Sequence, residues 1–281
     1  MTGSRYDSPA SIVEALVSSA RIAVLTGAGI SAESGIPTFR GSRNGLWAEF
    51  DPQQLATPAA FRRDPPLVWA WYRWRTALVE QAVPNAGHQA IAQLERLKEG
   101  VVVITQNVDD LHERAGSSNV LHLHGSLFEP RCLACARPHP HESAAGPEGA
   151  QRQGRTIGPG ASTPEAALRV SPPACTHCGG PVRPGVVWFG EGLPAATWNR
   201  ATRALEDCDA LLVVGTSGVV QPAASLPRLV KQRGKPVIEV NPDTSEITHG
   251  ADIHWNTTAA EGLPRIVALL QAGFGEGDRP A

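Results

Sequence analysis

The sequence predicts an α/β protein with a doubly wound parallel sheet, because short apolar runs alternate with amphipathic helical stretches. Val, Ile and Leu dominate four such runs, at residues 21–26, 101–106, 210–215 and 236–240. Unbroken apolar strands are typical of a parallel sheet that helices cover on both faces. The stretch "AGHQAIAQLERLKEG" between the first two runs has the spacing that such a covering helix requires.

Composition places the chain among ordinary globular proteins. In 281 residues, 27 acidic side chains nearly balance 25 basic ones, so charge gives no argument for nucleic acid or an anionic membrane as the main partner. The N-terminal stretch lacks the apolar run of a signal peptide, and no segment is long and apolar enough to span a bilayer. The sequence therefore predicts a cytoplasmic protein without a membrane partner.

The middle of the chain has a different composition. Residues 132–178 are rich in Gly, Pro and Ala and poor in large apolar side chains, so this insert cannot build a core of its own. Residues 273–281 have the composition of a frayed tail.

A glycine-rich turn follows the first predicted strand, in "TGAGISAESGIP" at residues 26–37. Gly27 and Gly29 would permit a tight turn and a close approach to a pyrophosphate, with a helix that starts near Ser31 directing free N–H groups at it. The turn departs from G-x-G-x-x-G because Ala32 stands at the third glycine position. A strand-to-helix turn without any ligand remains the alternative.

Small or amide-bearing polar residues follow the other predicted strands as well. They are Gln106, Asn107 and Asp109 after the second run, Gly215, Thr216 and Ser217 after the third, and Asn241 after the fourth. Open α/β sheets bind ligands at the carboxyl ends of their strands. Together these residues predict a nucleotide site at one edge of the sheet.

The stretch "VLHLHGS" at residues 120–126 alternates apolar residues with histidines, as a strand would, so His122 and His124 are expected to share a face. Such a pair can ligate a metal, supply a base or simply be hydrogen-bonded in the core. His124 is the better candidate base, because Gly125 beside it allows a ligand to approach and an ordinary histidine pKa suits proton transfer near neutral pH.

Four of the five cysteines lie in two C-x-x-C pairs, "CLAC" and "CTHC". Cys132, Cys135, Cys175 and Cys178 suit tetrahedral Zn²⁺, and four thiolates would leave no open position, so the site would be structural. His139, His141 or His177 could replace one thiolate, and a redox-active pair is the competing interpretation. Cys208 stands apart in an apolar setting that indicates a packed thiol.

The run "WAWYRWR" at residues 69–75 predicts a helix in which Tyr72 and Arg75 share a face with aliphatic neighbours. That face could grip a carboxylate. The alternative is that the tryptophans are buried while both arginines lay their stems over apolar surface with their charged ends in water.

The motifs "GAGISAESGIPTFRG", "TQNVD", "HLHGS", "GVVWFGEGLP", "GTS" and "EVN", with the paired cysteines between them, resemble in order those of the sirtuins, NAD-dependent protein-lysine deacylases. The resemblance covers roughly residues 20–260. It implies a Rossmann-type NAD-binding domain at 1–125 and 183–272, a small zinc module at 126–182 and a tail at 273–281. Two departures are Val108, where the family commonly has Ile, and the long insert between the cysteine pairs.

The resemblance also implies site residues by position. Those that would line NAD are Ala28, Glu33, Phe39, Arg40, Gln106, Asn107, Asp109, Ser217, Asn241 and Ala259. His124 would be the general base, with Asn107 at the reacting ribose. The segment Val187, Trp188, Phe189, Gly190 and Glu191 would pair with the backbone of an acyl-lysine peptide as an added strand.

The implied reaction transfers the acyl group to ADP-ribose and releases free lysine, nicotinamide and 2′-O-acyl-ADP-ribose. In sirtuins that prefer acidic acyl groups a Tyr and an Arg three residues apart lie at the acyl pocket, and Tyr72 and Arg75 match them, with the small Ala56 at a third matching position. The resemblance therefore implies a desuccinylase and demalonylase. A plain deacetylase, a nicotinamide-dependent dehydrogenase and a zinc-ribbon nucleic-acid module are the alternatives.

Overall fold

The computed structural model describes residues 9–37, 52–143 and 169–273. Six parallel strands form the main sheet in the order β3-β2-β1-β6-β7-β8. They are β1 (Arg21–Thr26), β2 (Gly100–Thr105), β3 (Val120–His122), β6 (Ala210–Val214), β7 (Val237–Val240) and β8 (Ile253–Trp255). This is the strand order of the Rossmann fold, which confirms the predicted doubly wound sheet.

Ten α-helices are present in the described ranges. They are α1 (Pro9–Val17), α2 (Gly29–Ala32), α3 (Pro52–Leu55), α4 (Pro58–Arg63), α5 (Pro65–Gln81), α6 (Ala86–Leu97), α7 (Leu111–Ala115), α8 (Ala195–Asp207), α9 (Leu226–Gln232) and α10 (Ala259–Gly273). The start of α2 was predicted near Ser31, but the helix begins at Gly29 because the preceding Ala28 already has helical dihedral angles.

The sheet is buried on both faces, as the unbroken apolar runs predict. In β1, Ile22 and Val24 belong to the core under α1, α6 and α10, whereas Ala23 and Leu25 belong to the core under α8 and α9. Successive residues of a strand point to opposite faces, so one apolar run serves two cores. Cys208 lies in the second core with 2% of its surface exposed, which confirms the packed thiol.

Local capping fixes the helices that border the site. The Asp64 carboxylate accepts a hydrogen bond from the Leu67 N–H at 3.1 Å, so α5 begins at Pro65. Asn85 starts α6 in the same way, since its Oδ1 accepts from the Gly87 N–H at 2.9 Å. Its Nδ2 also donates to the Ile30 carbonyl at 2.7 Å, which ties α2 to the start of α6.

Helices α3 to α5 form a third core that lies off the main sheet. Phe61, Trp71 and Tyr72 pack there with Leu127 and Trp188 from the later part of the chain. Beside it, β4 (Arg131–Cys132) and β5 (Val182–Arg183) form an antiparallel pair next to the cysteines. The sequence predicts that the zinc module ends at residue 182, which lies in β5. The division into domains stays a prediction.

Parts of the predicted insert and tail, residues 144–168 and 274–281, lie outside the described residues. Within the described ranges, no helix has the length and apolar content that crossing a membrane requires.

Candidate active site

The carboxyl ends of four strands meet in one crevice, as the sequence predicts. After β1, the Gly29 N–H donates to the Gly215 carbonyl after β6 at 2.7 Å. The Gln106 amide after β2 donates to Thr216 Oγ1, and the Asn241 amide after β7 donates to the Thr216 carbonyl, each at 3.0 Å. Thr216 therefore links the predicted polar residues at the point where the strand order reverses between β1 and β6.

The glycines of the turn have a packing role that the sequence did not predict. A Cβ at Gly27 would lie 2.7 Å from the Thr216 Cβ, and a Cβ at Gly29 would lie 2.7 Å from the Gly215 carbonyl oxygen. Gly215 has a φ of 59°, where most side chains are strained. The two loops thus require glycine to pack against each other, whereas their approach to a pyrophosphate stays a prediction.

The residues at the rim of the crevice have different surroundings. The Glu33 carboxylate accepts hydrogen bonds from Thr258 Oγ1 and the Ala260 N–H, each at 3.1 Å, so it caps the start of α10 beside the buried Ala259. Ser217 is exposed. Phe39 and Arg40, which the sequence placed at this site, lie outside the described residues.

Asn107 and Asp109 are buried and joined through Ser31. The Asn107 amide donates to Ser31 Oγ at 3.1 Å, and that hydroxyl donates to the Asp109 carboxylate at 3.0 Å. The Asn107 N–H donates to Thr105 Oγ1 at 3.0 Å. Burial raises the pKa of Asp109, although the Leu111 N–H and the Ser31 hydroxyl oppose the shift.

The two histidines face the same segment of backbone but have different partners. The Nδ1 of His124 lies 2.9 Å from the Gln106 carbonyl and that of His122 lies 3.1 Å from the Asn107 carbonyl. A carbonyl only accepts, so each Nδ1 carries a proton. Nε2 of His122 is bound to the Glu113 carboxylate at 2.7 Å, whereas Nε2 of neutral His124 keeps a lone pair for proton transfer.

The pKa shifts separate the two histidines further. Burial lowers the pKa of His124 below its ordinary value of 6.5, against the effect of the Gln106 carbonyl. Burial alone would also lower the pKa of His122, but the hydrogen bond and charge of Glu113 outweigh it and raise that pKa. Near neutral pH, His124 is thus the better base.

The strand that was predicted to carry both histidines is shorter than expected. β3 ends at His122, and Leu123 and His124 form a turn. The Leu123 N–H still donates to the Thr105 carbonyl at 2.9 Å, which keeps the chain beside the end of β2. Both imidazoles therefore face residues 106–107 although only one of them lies on the strand.

Four thiols converge beside the β4–β5 pair. The Sγ atoms of Cys132, Cys135, Cys175 and Cys178 all lie within 4.8 Å of one another. Cys132 Sγ is 3.4 Å from Cys178 Sγ, and Cys135 Sγ is 3.8 Å from Cys175 Sγ. Tetrahedral Zn–S bonds of ~2.3 Å place two ligand sulfurs about 3.8 Å apart, so these distances fit Zn²⁺ and are far too long for disulfides.

The three histidines that could have replaced a thiolate have other partners. Nδ1 of His139 bonds the Pro140 carbonyl, and Nε2 of His141 pairs with Glu80 at 3.1 Å. Nδ1 of His177 lies 3.1 Å from the Arg137 guanidinium. The four-cysteine ligand set is therefore the one that the geometry favours.

The helix predicted for "WAWYRWR" is confirmed as part of α5. Tyr72 is buried, and Arg75 is half-buried with its guanidinium 5.0 Å from the centre of the Trp71 ring. Arg75 borders a surface pocket with Ile36 and Pro37, whereas Tyr72 borders another pocket on the other side of the helix. The hydroxyl and guanidinium nevertheless interact electrostatically.

The segment predicted to pair with a peptide is not a regular strand. The Val187 N–H donates to the His124 carbonyl at 2.8 Å, and the Phe189 N–H donates to the Ala56 carbonyl at 2.9 Å. The Trp188 N–H donates to the Glu191 carboxylate at 2.9 Å, and Gly190 has a φ of 88°. Any peptide pairing must therefore use other groups of this segment, chiefly its carbonyls.

Comparison with known proteins agrees with this geometry. The Sir2 family model matches residues 27–222. The chain belongs to the Sir2 family. It is similar to an NAD-dependent protein deacylase of Mycolicibacterium paratuberculosis, with 51% identity over 90% of this chain and 98% of that protein. It is also similar to NAD-dependent protein deacylase 1 of Pseudomonas aeruginosa, with 50% identity over 91% of this chain and 96% of that protein.

Solved Sir2 structures share the fold. One is a crystal structure of a Sir2 homologue in complex with NAD, with 46% identity, a TM-score of 0.82 and coverage of 97% of each chain. Another is a mutant Sir2 homologue in complex with 2′-O-acetyl-ADP-ribose, with 45% identity, a TM-score of 0.82 and coverage of 96% of this chain and 99% of that one.

Two residue groups in this Sir2 protein were missed from the sequence. Ser31 connects Asn107 with Asp109, although its hydroxyl looked like part of an ordinary helix start. The buried Arg183 forms an ion pair with the partly exposed Glu191 and was assigned no role. Neither role could be recognised from the local sequence, because the partners of Ser31 are distant in the chain and Glu191 lies across a turn from Arg183.

Loss of one thiol should destabilise the zinc module of this Sir2 protein and, through it, lower activity. We expect purified Cys175→Ala protein to contain less than one zinc per chain, because three ligands hold the ion more weakly than four. Metal analysis and thermal melting would measure the effect. Cys208→Ala is the matched control, since Cys208 lies far from the cluster in the sheet core. A Cys175→Ala protein with full zinc content and wild-type melting would contradict the assignment.

Proposed function

We propose that this protein is an NAD-dependent protein-lysine deacylase that prefers short acidic acyl groups, succinyl and malonyl, and also removes acetyl groups. The names of the relatives support the deacylase activity. The acidic preference rests on one observation, the buried Tyr72 and the half-buried Arg75 one helical turn apart on α5. Its substrates are acyl-lysine proteins or peptides, and its products are nicotinamide and 2′-O-acyl-ADP-ribose.

The crevice at the strand ends fits NAD chemically. Two turns without side chains, at Gly27 and Gly215, lie next to amide and hydroxyl groups from Gln106, Thr216 and Asn241. Such groups bind phosphate and ribose oxygens. When bound, NAD supplies a ribose carbon that becomes electrophilic as nicotinamide leaves.

Asn107 and Asp109 hold the ribose end of this site. Their shared link to Ser31 fixes both side chains before a ligand arrives, and both are almost fully buried. Fixed polar groups in a site that excludes water need no reorganisation during the reaction, and positioning of the reactants can remove a large part of the barrier.

His124 acts as the general base. Its Nδ1–H is bound to the Gln106 carbonyl, so the ring is oriented and its Nε2 accepts the proton of a ribose hydroxyl. Burial keeps the imidazole neutral near pH 7. His122 is not free to act as the general base in the same way, because its Nε2 is already bound to the Glu113 carboxylate.

Arg75 and Tyr72 provide the charge and hydrogen bond that an acidic acyl group needs. A carboxylate that leaves water for a buried site loses its hydration, and only a paired, hydrogen-bonded cation can offset that cost. Burial lowers the pKa of Arg75, and the neighbouring Tyr72 and Asp109 oppose the shift, but a guanidinium remains charged near neutral pH. Ala56 is buried in the same core, and its small side chain takes up less space there than a larger one would.

Turnover on one peptide with different acyl groups tests the proposal. We expect NAD-dependent removal of succinyl, malonyl and acetyl groups, with a higher kcat/KM for the two acidic groups. Omission of NAD should abolish all three reactions. A protein that removes only acetyl groups would be a plain deacetylase and would contradict the acidic preference, whereas one inactive on all three peptides would contradict the deacylase activity. The cytoplasmic location and the absence of a nucleic-acid partner stay predictions from the sequence.

A further inference from the structure

Trp188 connects residues 187–191, the segment predicted to pair with a peptide, to the hydroxyl of Tyr72. Its side chain is 1% exposed, and the indole Nε1–H donates a hydrogen bond to the Tyr72 hydroxyl oxygen at 3.1 Å. An indole N–H can only donate, so the direction of this bond is fixed: Tyr72 is the acceptor. Trp188 therefore controls one of the two hydrogen-bonding functions of the phenol.

Because the Tyr72 oxygen accepts the hydrogen bond from Trp188, its O–H group can still donate one to another partner. Among the described residues, the indole supplies the one hydrogen bond made by this hydroxyl. Burial raises the pKa of Tyr72, so the phenol keeps its proton throughout the neutral range. A hydroxyl that accepts one hydrogen bond is polarised and becomes a somewhat better donor in the next. Tyr72 is thus prepared to donate to an anion near Arg75.

Two side chains pack against the ring of Trp188. The Arg183 guanidinium carbon lies 3.5 Å from the centre of the indole ring, and the Phe61 ring lies 5.2 Å away. Arg183 is buried and forms a two-point ion pair with Glu191, at 2.5 and 2.9 Å. Glu191 also accepts the Trp188 backbone N–H at 2.9 Å, so both the ring and the backbone of Trp188 are fixed.

We propose that Trp188 is a positioning residue for acyl selectivity. Its indole N–H orients the Tyr72 hydroxyl so that the phenol donates a hydrogen bond to the carboxylate of an acidic acyl group. This inference rests on the proposed acidic-acyl preference. It adds a residue that acts through Tyr72 and whose side chain need not touch the substrate carboxylate. The Arg183–Glu191 pair supports it by fixing the ring.

Removal of the indole N–H should change selectivity more than activity. In Trp188→Phe, an aromatic ring still packs against Arg183 and Phe61, but the donor to Tyr72 is lost. We expect the ratio of kcat/KM for succinyl-lysine to kcat/KM for acetyl-lysine to fall about three- to tenfold, which corresponds to the net free energy of one neutral hydrogen bond. A purely structural loss would lower both values together and leave the ratio unchanged.

A double-variant cycle tests whether Trp188 acts through Tyr72. Tyr72→Phe removes the hydroxyl, so adding Trp188→Phe to it should cause no further fall in the ratio. Independent effects would instead multiply, and that result would overturn the proposal. An unchanged ratio in Trp188→Phe, with a reduced ratio in Tyr72→Phe, would overturn it as well while leaving the proposed function intact.

A shape-matched replacement guards against misfolding. If the melting temperature of Trp188→Phe falls sharply, β-(3-benzothienyl)alanine at position 188 replaces the N–H by sulfur and keeps the bicyclic ring. The same fall in ratio is expected, and retention of the wild-type ratio would overturn the proposal. Failure of the proposed function is distinct, because it would show in the wild-type protein as the absence of activity on succinyl and malonyl peptides.

Discussion

His124→Ala should lower kcat/KM for acyl-lysine peptides by ~100-fold or more, the usual contribution of a general base. The imidazole is oriented by the Gln106 carbonyl, and its Nε2 has the lone pair that a ribose hydroxyl proton requires. Steady-state turnover on a succinyl and an acetyl peptide would measure the loss, and both substrates should lose equally because the base acts on the ribose. NAD binding, measured by calorimetry, should persist.

His122→Ala is the matched control for the base. His122 bonds the next carbonyl along the chain, but Glu113 occupies its Nε2. We expect this variant to lose less activity than His124→Ala. If His122→Ala is inactive and His124→Ala retains near wild-type turnover, the base has been assigned to the wrong histidine.

The pH profile of the wild-type protein provides a second check of the same assignment. The base must be unprotonated, so kcat/KM should be constant at higher pH and fall as the pH drops through the pKa of His124 in the free enzyme. Because burial lowers that pKa, the acid limb should have its midpoint below 6.5. The pKa of His122 is raised, so a midpoint above 6.5 would point to that residue instead.

Arg75→Met should lower kcat/KM for succinyl-lysine by about ten- to a hundredfold, because hydrogen bonds to charged groups are worth roughly 1.5–3 kcal/mol. Methionine keeps an unbranched apolar stem like that of arginine and removes the charge. Deacetylation should change only a few-fold, since an acetyl group has no carboxylate to pair. The measured quantity is the ratio of the two kcat/KM values.

Arg73→Met provides the control on the same helix. Arg73 is also half-buried, but it does not border the pocket that Arg75 lines with Ile36 and Pro37; it borders the pocket of Tyr72. Removal of its charge should leave the succinyl-to-acetyl ratio near the wild-type value. Two results would contradict a role for Arg75 in acyl selectivity. One is an equal loss of both activities in Arg75→Met, and the other is the same change of ratio in Arg73→Met. Either would favour the alternative in which the stem of Arg75 simply lies over apolar surface.

Local patterns were sufficient to predict the main architecture and the metal ligands. The apolar run at 21–26 is β1, because a strand buried on both faces needs an unbroken series of apolar residues. The spacing of the two C-x-x-C pairs predicted four converging thiols, because each pair is a local unit that supplies two ligands. The helix over "WAWYRWR" followed from its periodicity, and the structure adds the Asp64 cap and two prolines at its start.

Contacts between distant segments decided what those patterns could not. The need for glycine at 27 and 29 comes from the loop at Gly215, almost 190 residues later in the chain. Glu113 decides which histidine has its Nε2 paired with a carboxylate, and Trp188 supplies a hydrogen bond that the Tyr72 oxygen accepts. Hydrogen bonds need donor and acceptor within about 3 Å, and this distance is set by how the helices and loops pack on the sheet. The sequence by itself therefore determined the elements and the residue types of the site, whereas the tertiary structure decided the partner, orientation and protonation of each side chain.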